Sequence, residues 1–180
     1  MEVIVINESD IGRDLDEQIR CVLCACFPEN ADVFSITRAW HGSTPKWTVL
    51  LQDESGQIIS HVGIVYRAIC IGSKSVHVGG IQNVCVLPRF RGQGLCDRVM
   101  DQAANVMRQK TIDFGLLFCI RHLVKVYQRT GWKEIEPIEI TCVDEHGNTL
   151  AISDNNIAMY LKLDDHELPK GAISLQGNDW

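Results

Sequence analysis

Hydrophobic positions along this chain follow two different periods, one typical of strands and one typical of helices. Residues 2–7 contain four consecutive β-branched apolar side chains between polar ends, which predicts a first strand. Apolar residues then recur at helical spacing up to Pro28, and Asp14 and Asp16 lie near the start of this segment, where acidic side chains suit a helix. The apolar face consists of Leu15, Ile19, Val22, Leu23 and Cys26. Residues 32–40 predict a short second helix that ends at Trp40.

The middle of the chain has the pattern of three consecutive strands. Turn residues at 53–56 and 72–74 separate three long apolar runs, at residues 46–52, 57–71 and 75–87. Such runs joined by tight turns predict an antiparallel meander. The adjacent pair Gly79-Gly80 lies inside the last strand, and glycine there indicates a bulge or a close approach by another backbone or a ligand.

Helix and strand patterns alternate in the second half. In chain order the sequence predicts a helix at 92–108, a strand at 112–120, a short helix at 121–130, and strands at 132–142 and 156–163. Residues 112–120 are nearly all apolar, which is typical of a strand covered on both faces. The polar segment from residue 164 to residue 180 predicts a tail.

Size and composition restrict the class of protein. A chain of 180 residues with 46% hydrophobic residues is typical of one globular domain. No run reaches the ~20 apolar residues of a membrane span, and residues 1–6 lack the features of a signal peptide. We therefore expect a soluble, cytoplasmic protein without a membrane partner. The net charge of −6 argues against a nucleic-acid partner, whose phosphates require basic contacts, but it permits a cationic one.

Eight cysteines raise the question of disulfides or zinc. Cys21, Cys24 and Cys26 fall within the first helical pattern, and the others are scattered singly. No second Cys-x-x-Cys or histidine pair completes a zinc set. The sequence therefore predicts free, mostly buried thiols and no metal site.

The segment Arg89-Phe90-Arg91-Gly92-Gln93-Gly94 lies between a predicted strand and a predicted helix. A glycine-rich loop in that position directs backbone N–H groups at an anion. A nucleoside-triphosphate loop would need Gly-Lys-Ser or Gly-Lys-Thr, which the chain lacks. A dinucleotide fingerprint would need glycine where Asp97 stands, and it opens a parallel fold rather than following a meander.

The remaining pattern, Arg-x-x-Gly-x-Gly, resembles the acyl-CoA loop of the GNAT superfamily of N-acyltransferases. A second segment, from Tyr127 to Gly131 and Trp132, resembles the Tyr-x-x-x-Gly-aromatic segment of that superfamily. The resemblance implies an α+β fold with a mixed, mostly antiparallel sheet and helices on both faces. It implies a GNAT domain at residues 1–163, and it leaves open whether the tail at 164–180 contributes to the acceptor site.

The resemblance also implies a cofactor site for acetyl-CoA. The pyrophosphate would bind at the loop and the pantetheine arm would pair with the preceding strand. The implied cofactor residues are Val84, Cys85, Val86, Arg89, Arg91, Gly92, Gln93, Gly94 and Leu95. Tyr127 would protonate the departing thiolate, and it could instead be a packed core tyrosine.

The nearest subfamily resemblance is to the aminoglycoside 2'-N-acetyltransferases. It is carried by Val-Leu-Pro-Arg-Phe-Arg-Gly-Gln at residues 86–93 and by Trp180 at the end of the chain. In that group the terminal tryptophan helps to bind substrate, so Trp180 and Asp179 are implied substrate-binding residues. A strand glutamate of that group corresponds here to Gln82, which cannot act as a carboxylate base but could orient a water or a hydroxyl group.

The sequence thus predicts an acetyl-CoA-dependent N-acetyltransferase acting on a small-molecule primary amine by direct transfer. An aminoglycoside is the most specific acceptor that the resemblance implies. His41, His61 and His77 are further candidate bases. A non-catalytic CoA-binding module, an acyltransferase with a longer acyl donor, and a homodimer all stay open.

Overall fold

A mixed, mostly antiparallel sheet forms the centre of the fold. The computed structural model describes residues 1–144, 146–153 and 155–180. Its strands are β1 (Glu2–Asn7), β2 (Trp47–Gln52), β3 (Ile58–Ile71), β4 (Lys74–Val86), β5 (Phe114–Ile120), β6 (Lys133–Glu134), β7 (Ile140–Val143), β8 (Thr149–Ala151), β9 (Asn156–Lys162) and β10 (Ile173–Ser174). Its α-helices are α1 (Arg13–Cys26), α2 (Ala31–Phe34), α3 (Leu95–Gln109) and α4 (Val124–Gln128).

The strand pairing confirms the predicted α+β class and the predicted meander. Strands β1 to β4 pair with one another in sequence order, all antiparallel. Strand β5 joins β4 in parallel, after the crossover through α3, and β9 pairs antiparallel with β5. The first part of β3 pairs with β2, whereas its last residues pair with β10. The sheet therefore continues in two directions from β3.

Strands β4 and β5 separate part-way along their length. Their parallel register runs from Val78 opposite Phe114 to Ile81 opposite Leu117 and stops there, although β4 continues to Val86. Just beyond this point β4 contains an irregularity in its pairing with β3, and Asn83 has a positive φ of 54°. The divergence leaves one edge of β4 unpaired within the described sheet and opens a space between the two strands.

The two faces of β4 carry different contacts at the glycine pair. A side chain at Gly79 would lie 2.2 Å from the sulfur of Met107 in α3, whereas a side chain at Gly80 would lie 2.2 Å from the Trp180 ring. Neighbouring strand residues point to opposite faces, so α3 covers one face and the end of the chain covers the other. These glycines therefore mark close approaches by side chains, whereas the sequence pattern indicated a bulge or an approach by another backbone or a ligand.

The predicted helix at residues 92–108 begins three residues later in the structure. Gly92 and Gly94 have φ values of 76° and 72°, in the left-handed region, and α3 starts only at Leu95. The buried stripe of α3 agrees with the predicted one, since Val99, Met100 and Met107 are at most 1% exposed.

The predicted second helix at residues 32–40 is wrong over most of its length. Helix α2 ends at Phe34, and the chain then turns. The reason is the side chain of Arg38, which is 7% exposed and forms ion pairs of 2.5 Å with Glu8 and 2.6 Å with Asp16. Holding a buried guanidinium against two carboxylates fixes this stretch as a loop rather than as a continued helix.

The predicted strand at residues 132–142 is also wrong, because it is two strands with different partners. Strand β6 pairs with β9, whereas β7 pairs with β8 and, in parallel, with β10. Pro137 lies between them, where its missing N–H interrupts a ladder. Among the described residues, no helix is long and apolar enough to cross a membrane.

Candidate active site

The larger of two connected cavities lies beside the glycine-rich loop, and we call it the loop cavity. It has a volume of about 780 Å³ and is bounded by the end of β4, the first turn of α3 and helix α4. All the cofactor residues expected from the sequence line it except Arg89 and Gln93. The expected residues that line it are Val84, Cys85, Val86, Arg91, Gly92, Gly94 and Leu95, and Tyr127 lines it as well.

The loop is built to receive an anion. Left-handed conformations at Gly92 and Gly94 turn the chain sharply just before α3, and a Cβ atom at either position would have no neighbour within 4 Å. Unpaired N–H groups and the helix dipole at the start of this long helix favour a negative charge. The arrangement suits a pyrophosphate.

Charged side chains around the loop are held in defined positions. Arg91 lines the loop cavity, and its Nε donates to the Val86 carbonyl oxygen over 3.0 Å. Arg129 donates twice to the Asp97 carboxylate, over 3.0 and 2.7 Å, which neutralises an acidic group in the first turn of α3. Sequence reasoning missed Arg129, although it stands two residues after Tyr127. Arg89 instead contacts Gln57 and lies over the Phe90 ring, 4.9 Å from its centroid.

A smaller cavity of about 310 Å³ lies where β4 and β5 separate, and we call it the strand cavity. It shares Phe27, Val84, Leu123 and Tyr127 with the loop cavity, so the two spaces meet at these residues. Gln82 and Trp180 line the strand cavity, whereas Asp179 lines a neighbouring depression. The structure thus brings Tyr127, Gln82 and Trp180 to one space.

Tyr127 stands at the junction of the two cavities. Its side chain is 8% exposed, and burial raises the pKa of its phenol well above the usual value of 10.0. The nearby thiols of Cys96, Cys119 and Cys85 add to this rise in pKa. The phenol is therefore protonated near neutral pH, and the raised pKa makes it a weaker acid than a free tyrosine. Its place between the two cavities suits protonation of a group leaving at that point.

Gln82 holds a loop in place. Its side-chain Oε1 accepts a hydrogen bond from the Trp40 backbone N–H over 2.9 Å, and its Nε2 donates to the Ser43 carbonyl over 2.7 Å. An amide can accept a hydrogen bond from one backbone group and donate one to another at the same time. An ionised glutamate in this position would have no proton to donate. The 38–43 loop is therefore positioned by this glutamine.

Trp180 is buried against β4 and β5. It is 4% exposed, its Nε1 donates to the Leu116 carbonyl over 3.4 Å, and the Arg67 guanidinium lies 5.3 Å from its ring centroid. The expected tail therefore folds back onto the sheet, although the sequence pattern indicated only a polar segment.

The tail and the 38–43 loop are tied together through Ser43. Its hydroxyl donates to the Asp179 carbonyl over 2.7 Å and accepts from Arg67 over 3.1 Å. The imidazole of His41 lies 2.7 Å from the Asp179 carboxylate, which raises the pKa of His41 although partial burial opposes the rise. Two segments that are far apart in sequence thus form one rim beside the strand cavity.

A comparison with protein families identifies the family of this chain. A model of the acetyltransferase (GNAT) domain matches residues 12–135, more than half of the chain. The chain belongs to this GNAT acetyltransferase family. The assignment agrees with the resemblance of the glycine-rich loop at the start of α3 to the acyl-CoA loop of that superfamily. It identifies the protein as an acyltransferase.

Solved structures show the same fold at low sequence identity. The chain resembles the GNAT N-acetyltransferase YhbS from Escherichia coli in complex with CoA, with a TM-score of 0.69, 15% identity and coverage of 98% of this chain and 91% of that one. It resembles a GNAT acetyltransferase from Brucella melitensis in complex with acetyl-CoA, with a TM-score of 0.58, 16% identity and coverage of 96% and 94%.

An acetyltransferase of the GNAT family from Staphylococcus aureus gives a TM-score of 0.59, 14% identity and coverage of 91% of this chain and 100% of that one. A comparison with curated protein sequences finds no match.

The loop cavity of this GNAT domain fits a CoA molecule. Its anion-binding loop, its cations Arg91 and Arg129, and the unpaired edge of β4 border one continuous space. An extended pantetheine arm can add to such an edge as a strand would. Groups of residues able to hold a metal ion are absent from the described part of the chain.

Two thiols of the GNAT domain, Cys26 and Cys85, also line the loop cavity. The neighbouring Cys85 thiol and the charge of Arg91 lower the pKa of Cys26, although partial burial opposes this. The neighbouring Cys26 thiol and burial raise the pKa of Cys85. The sequence placed Cys26 on the apolar face of a helix and did not indicate that it lines this cavity.

The other candidate bases lie away from the strand cavity. His61 is fully buried, its Nδ1 lies 2.9 Å from the Asn83 carbonyl, and burial lowers its pKa to about 4. The His77 ring stacks on Tyr66 at 5.5 Å, near the far end of β4. Neither histidine lines the strand cavity.

Proposed function

We propose that this protein transfers an acetyl group from acetyl-CoA directly to a primary amine, with Tyr127 as the general acid. The observation that carries the proposal is that Tyr127 lines both the loop cavity and the strand cavity. A cofactor thiol that follows β4 from the glycine-rich loop reaches this junction, and an acceptor in the strand cavity reaches it from the other side. When bound, acetyl-CoA supplies the activated thioester.

Different residues bind the cofactor and transfer the proton. The N–H groups around Gly92 and Gly94 hold the pyrophosphate, and Val84 to Val86 align the pantetheine arm. The new C–N bond forms as the thioester C–S bond breaks, and the leaving sulfur takes the proton of Tyr127. The proton lost by the amine nitrogen restores the phenol through solvent, so that an amide and a free CoA thiol result.

The acceptor must lose its ammonium proton before it attacks. A carboxylate base is absent from the described residues that line the strand cavity, and Gln82 is engaged by Trp40 and Ser43. Burial in weakly polar surroundings disfavours an ammonium ion and lowers its pKa. The cavity therefore favours the neutral amine by desolvation, without a dedicated base.

The identity of the acceptor goes beyond what the family assignment gives. The aminoglycoside 2'-N-acetyltransferase resemblance is carried neither by the family model nor by the structures named above, so an aminoglycoside acceptor stays a prediction. Gln82 in place of a glutamate removes a carboxylate that a polycation could use.

Replacing Tyr127 by phenylalanine tests the general-acid role. Because the variant lacks only the phenolic hydroxyl, we expect kcat with acetyl-CoA and a primary amine to fall at least about 100-fold. The Kd for CoA, measured by isothermal titration calorimetry, should stay within about twofold, since the ring is retained. Tyr160→Phe, on β9, is the matched control and should keep the parental kcat.

Two results would contradict the proposal in different ways. An unchanged kcat for Tyr127→Phe would remove this residue from the acid role. Tight CoA binding by the parental protein without acetylation of any amine in a broad panel would favour a non-catalytic CoA-binding module.

A further inference from the structure

Aromatic side chains dominate the strand cavity. Six of the described residues that line it carry rings: Phe27, Phe34, Trp40, Phe118, Tyr127 and Trp180. These residues come from the end of α1, from α2, the 38–43 loop, β5, α4 and the tail, so only the tertiary fold brings them together. A cavity with this lining presents flat apolar surfaces that suit a flat apolar ligand.

The rings form two packed groups. On one side, the Phe34 ring lies 5.5 Å from Phe27 and 5.6 Å from Trp40, which it stacks against at an interplanar angle of 24°. On the other side, the Phe118 and Trp180 rings lie 6.0 Å apart. All three distances fall within the range of favourable aromatic pairs, so the rings within each group support one another.

The lining carries almost no charge. Among the described residues of the strand cavity there is no carboxylate, lysine, arginine or histidine. Apart from the Tyr127 phenol and the Cys119 thiol, its polar side chains are amides. Two of these already serve the 38–43 loop: Gln82 binds Trp40 and Ser43, and Asn83 donates to the Arg38 carbonyl over 2.8 Å. An ammonium group inside this cavity would lose its hydration without gaining a counter-charge, since the Asp179 carboxylate lies outside it, at the rim, where it pairs with His41.

The aromatic surfaces are fixed before any ligand arrives. The Gln82 side chain holds the backbone of Trp40, and the Leu116 carbonyl accepts from the indole of Trp180. Stacking on Phe34 also positions the Trp40 ring. Rings positioned in this way lose little further freedom on binding, so that their contacts contribute more fully to affinity.

We propose that the acceptor of this enzyme is an arylalkylamine, a primary amine joined by a short aliphatic linker to an aromatic ring. The inference rests on the proposed acetyltransferase function and names its acceptor class. The ring of the acceptor lies between the two aromatic groups, and its amine points to Tyr127, where the loop cavity begins. A volume of about 310 Å³ suits one or two fused rings.

A panel of acceptors tests the assignment. Phenethylamine, tryptamine, spermidine and kanamycin are compared with acetyl-CoA as the donor, and the acetylated product is quantified by chromatography. We expect kcat/KM for the two arylalkylamines to exceed that for spermidine and kanamycin by at least roughly tenfold.

Replacing Trp40 by alanine supplies a residue-level test. The KM for phenethylamine should rise roughly tenfold while kcat changes little, because ground-state contacts to the ring are lost. Ile36→Ala, at a side chain that is 82% exposed on the same segment, is the matched control and should keep the parental KM. Phe118→Leu provides a second variant from the other aromatic surface, and circular dichroism verifies the fold of each.

The outcomes separate this inference from the proposed function. A preference for spermidine or kanamycin would overturn the arylalkylamine assignment and leave the acetyltransferase intact. Faster turnover with octanoyl-CoA than with acetyl-CoA, without selectivity among amines, would show that the cavity holds the acyl chain, and would also overturn it. Failure to acetylate any amine despite CoA binding would instead overturn the proposed function.

Discussion

At the scale of single residues, Gln82 shows how one side chain determines part of the site. The sequence suggested that it replaces a catalytic glutamate, and the structure gives it a different task. It is 3% exposed and bridges two backbone groups of a loop that has no regular secondary structure of its own. The choice between glutamine and glutamate therefore affects loop position as well as the available bases.

Gln82→Glu should destabilise the protein at neutral pH. A carboxylate would face the Ser43 carbonyl without a proton to donate, and an unsatisfied buried pair of this kind costs about 1–3 kcal/mol. Urea unfolding followed by circular dichroism measures the loss. Gln18→Glu, on the exposed side of α1, is the matched control and should leave the unfolding midpoint nearly unchanged. Equal stability of the two variants would show that the loop does not depend on the amide.

At the scale of elements, the sequence pattern is informative where an element is long. The stripe of α3 and the meander of β2 to β4 were predicted because many residues contribute to each periodicity. Strand β10 has two residues and pairs with Ile71 and Cys70 of β3 and with β7. Two residues contain no period, so that only the tertiary structure could reveal that the tail joins the sheet.

Arg67→Met should loosen the tail. The guanidinium donates to the Asn178 carbonyl over 2.5 Å and lies over Trp180, and both contacts are lost while the aliphatic stem remains. Hydrogen exchange followed by mass spectrometry should show faster exchange at residues 173–180, with little change in α3. Arg108→Met, on the surface of α3, is the control. Unaltered exchange of the tail would mean that Trp180 alone anchors it.

At the scale of the whole molecule, one buried histidine links folding to pH. Desolvation lowers the pKa of His61 from 6.5 to about 4, and the charge of Arg38 acts in the same direction. The Nε2 atom of this ring has no hydrogen-bond partner among the described residues. Between these pH values the unfolded chain binds a proton that the folded protein does not, so folding stability falls as the pH is lowered.

The predicted consequence is a pH-dependent free energy of unfolding. Between pH 6.5 and about 4 the parental protein should lose about 3 kcal/mol through His61. His61→Gln should show a smaller loss over the same interval, whatever its absolute stability, in urea titrations at several pH values. His166→Gln, at an exposed side chain, should retain the parental slope. Identical slopes for all three proteins would assign the acid sensitivity to other groups.

The sequence by itself determined the features that depend on local pattern: the meander, the amphipathic α3, and the glycine-rich loop between a strand and a helix. These follow from hydrophobic periodicity and from the backbone requirements of glycine, both of which act over a few neighbouring residues. The expected cofactor residues at positions 84–86, 91, 92, 94 and 95 came instead from the resemblance to the GNAT superfamily, and the structure places them along the loop cavity.

Only the tertiary structure decided what lies opposite that loop. The aromatic surfaces of the strand cavity combine Trp40, Phe118 and Trp180, which are separated by long stretches of chain. The buried ion pairs of Arg38 ended a predicted helix, and Pro137 lies where a predicted strand divides. Long-range packing and charge pairing outweigh local preference at these positions, because burying a charge or a large ring involves more free energy than one turn of helix.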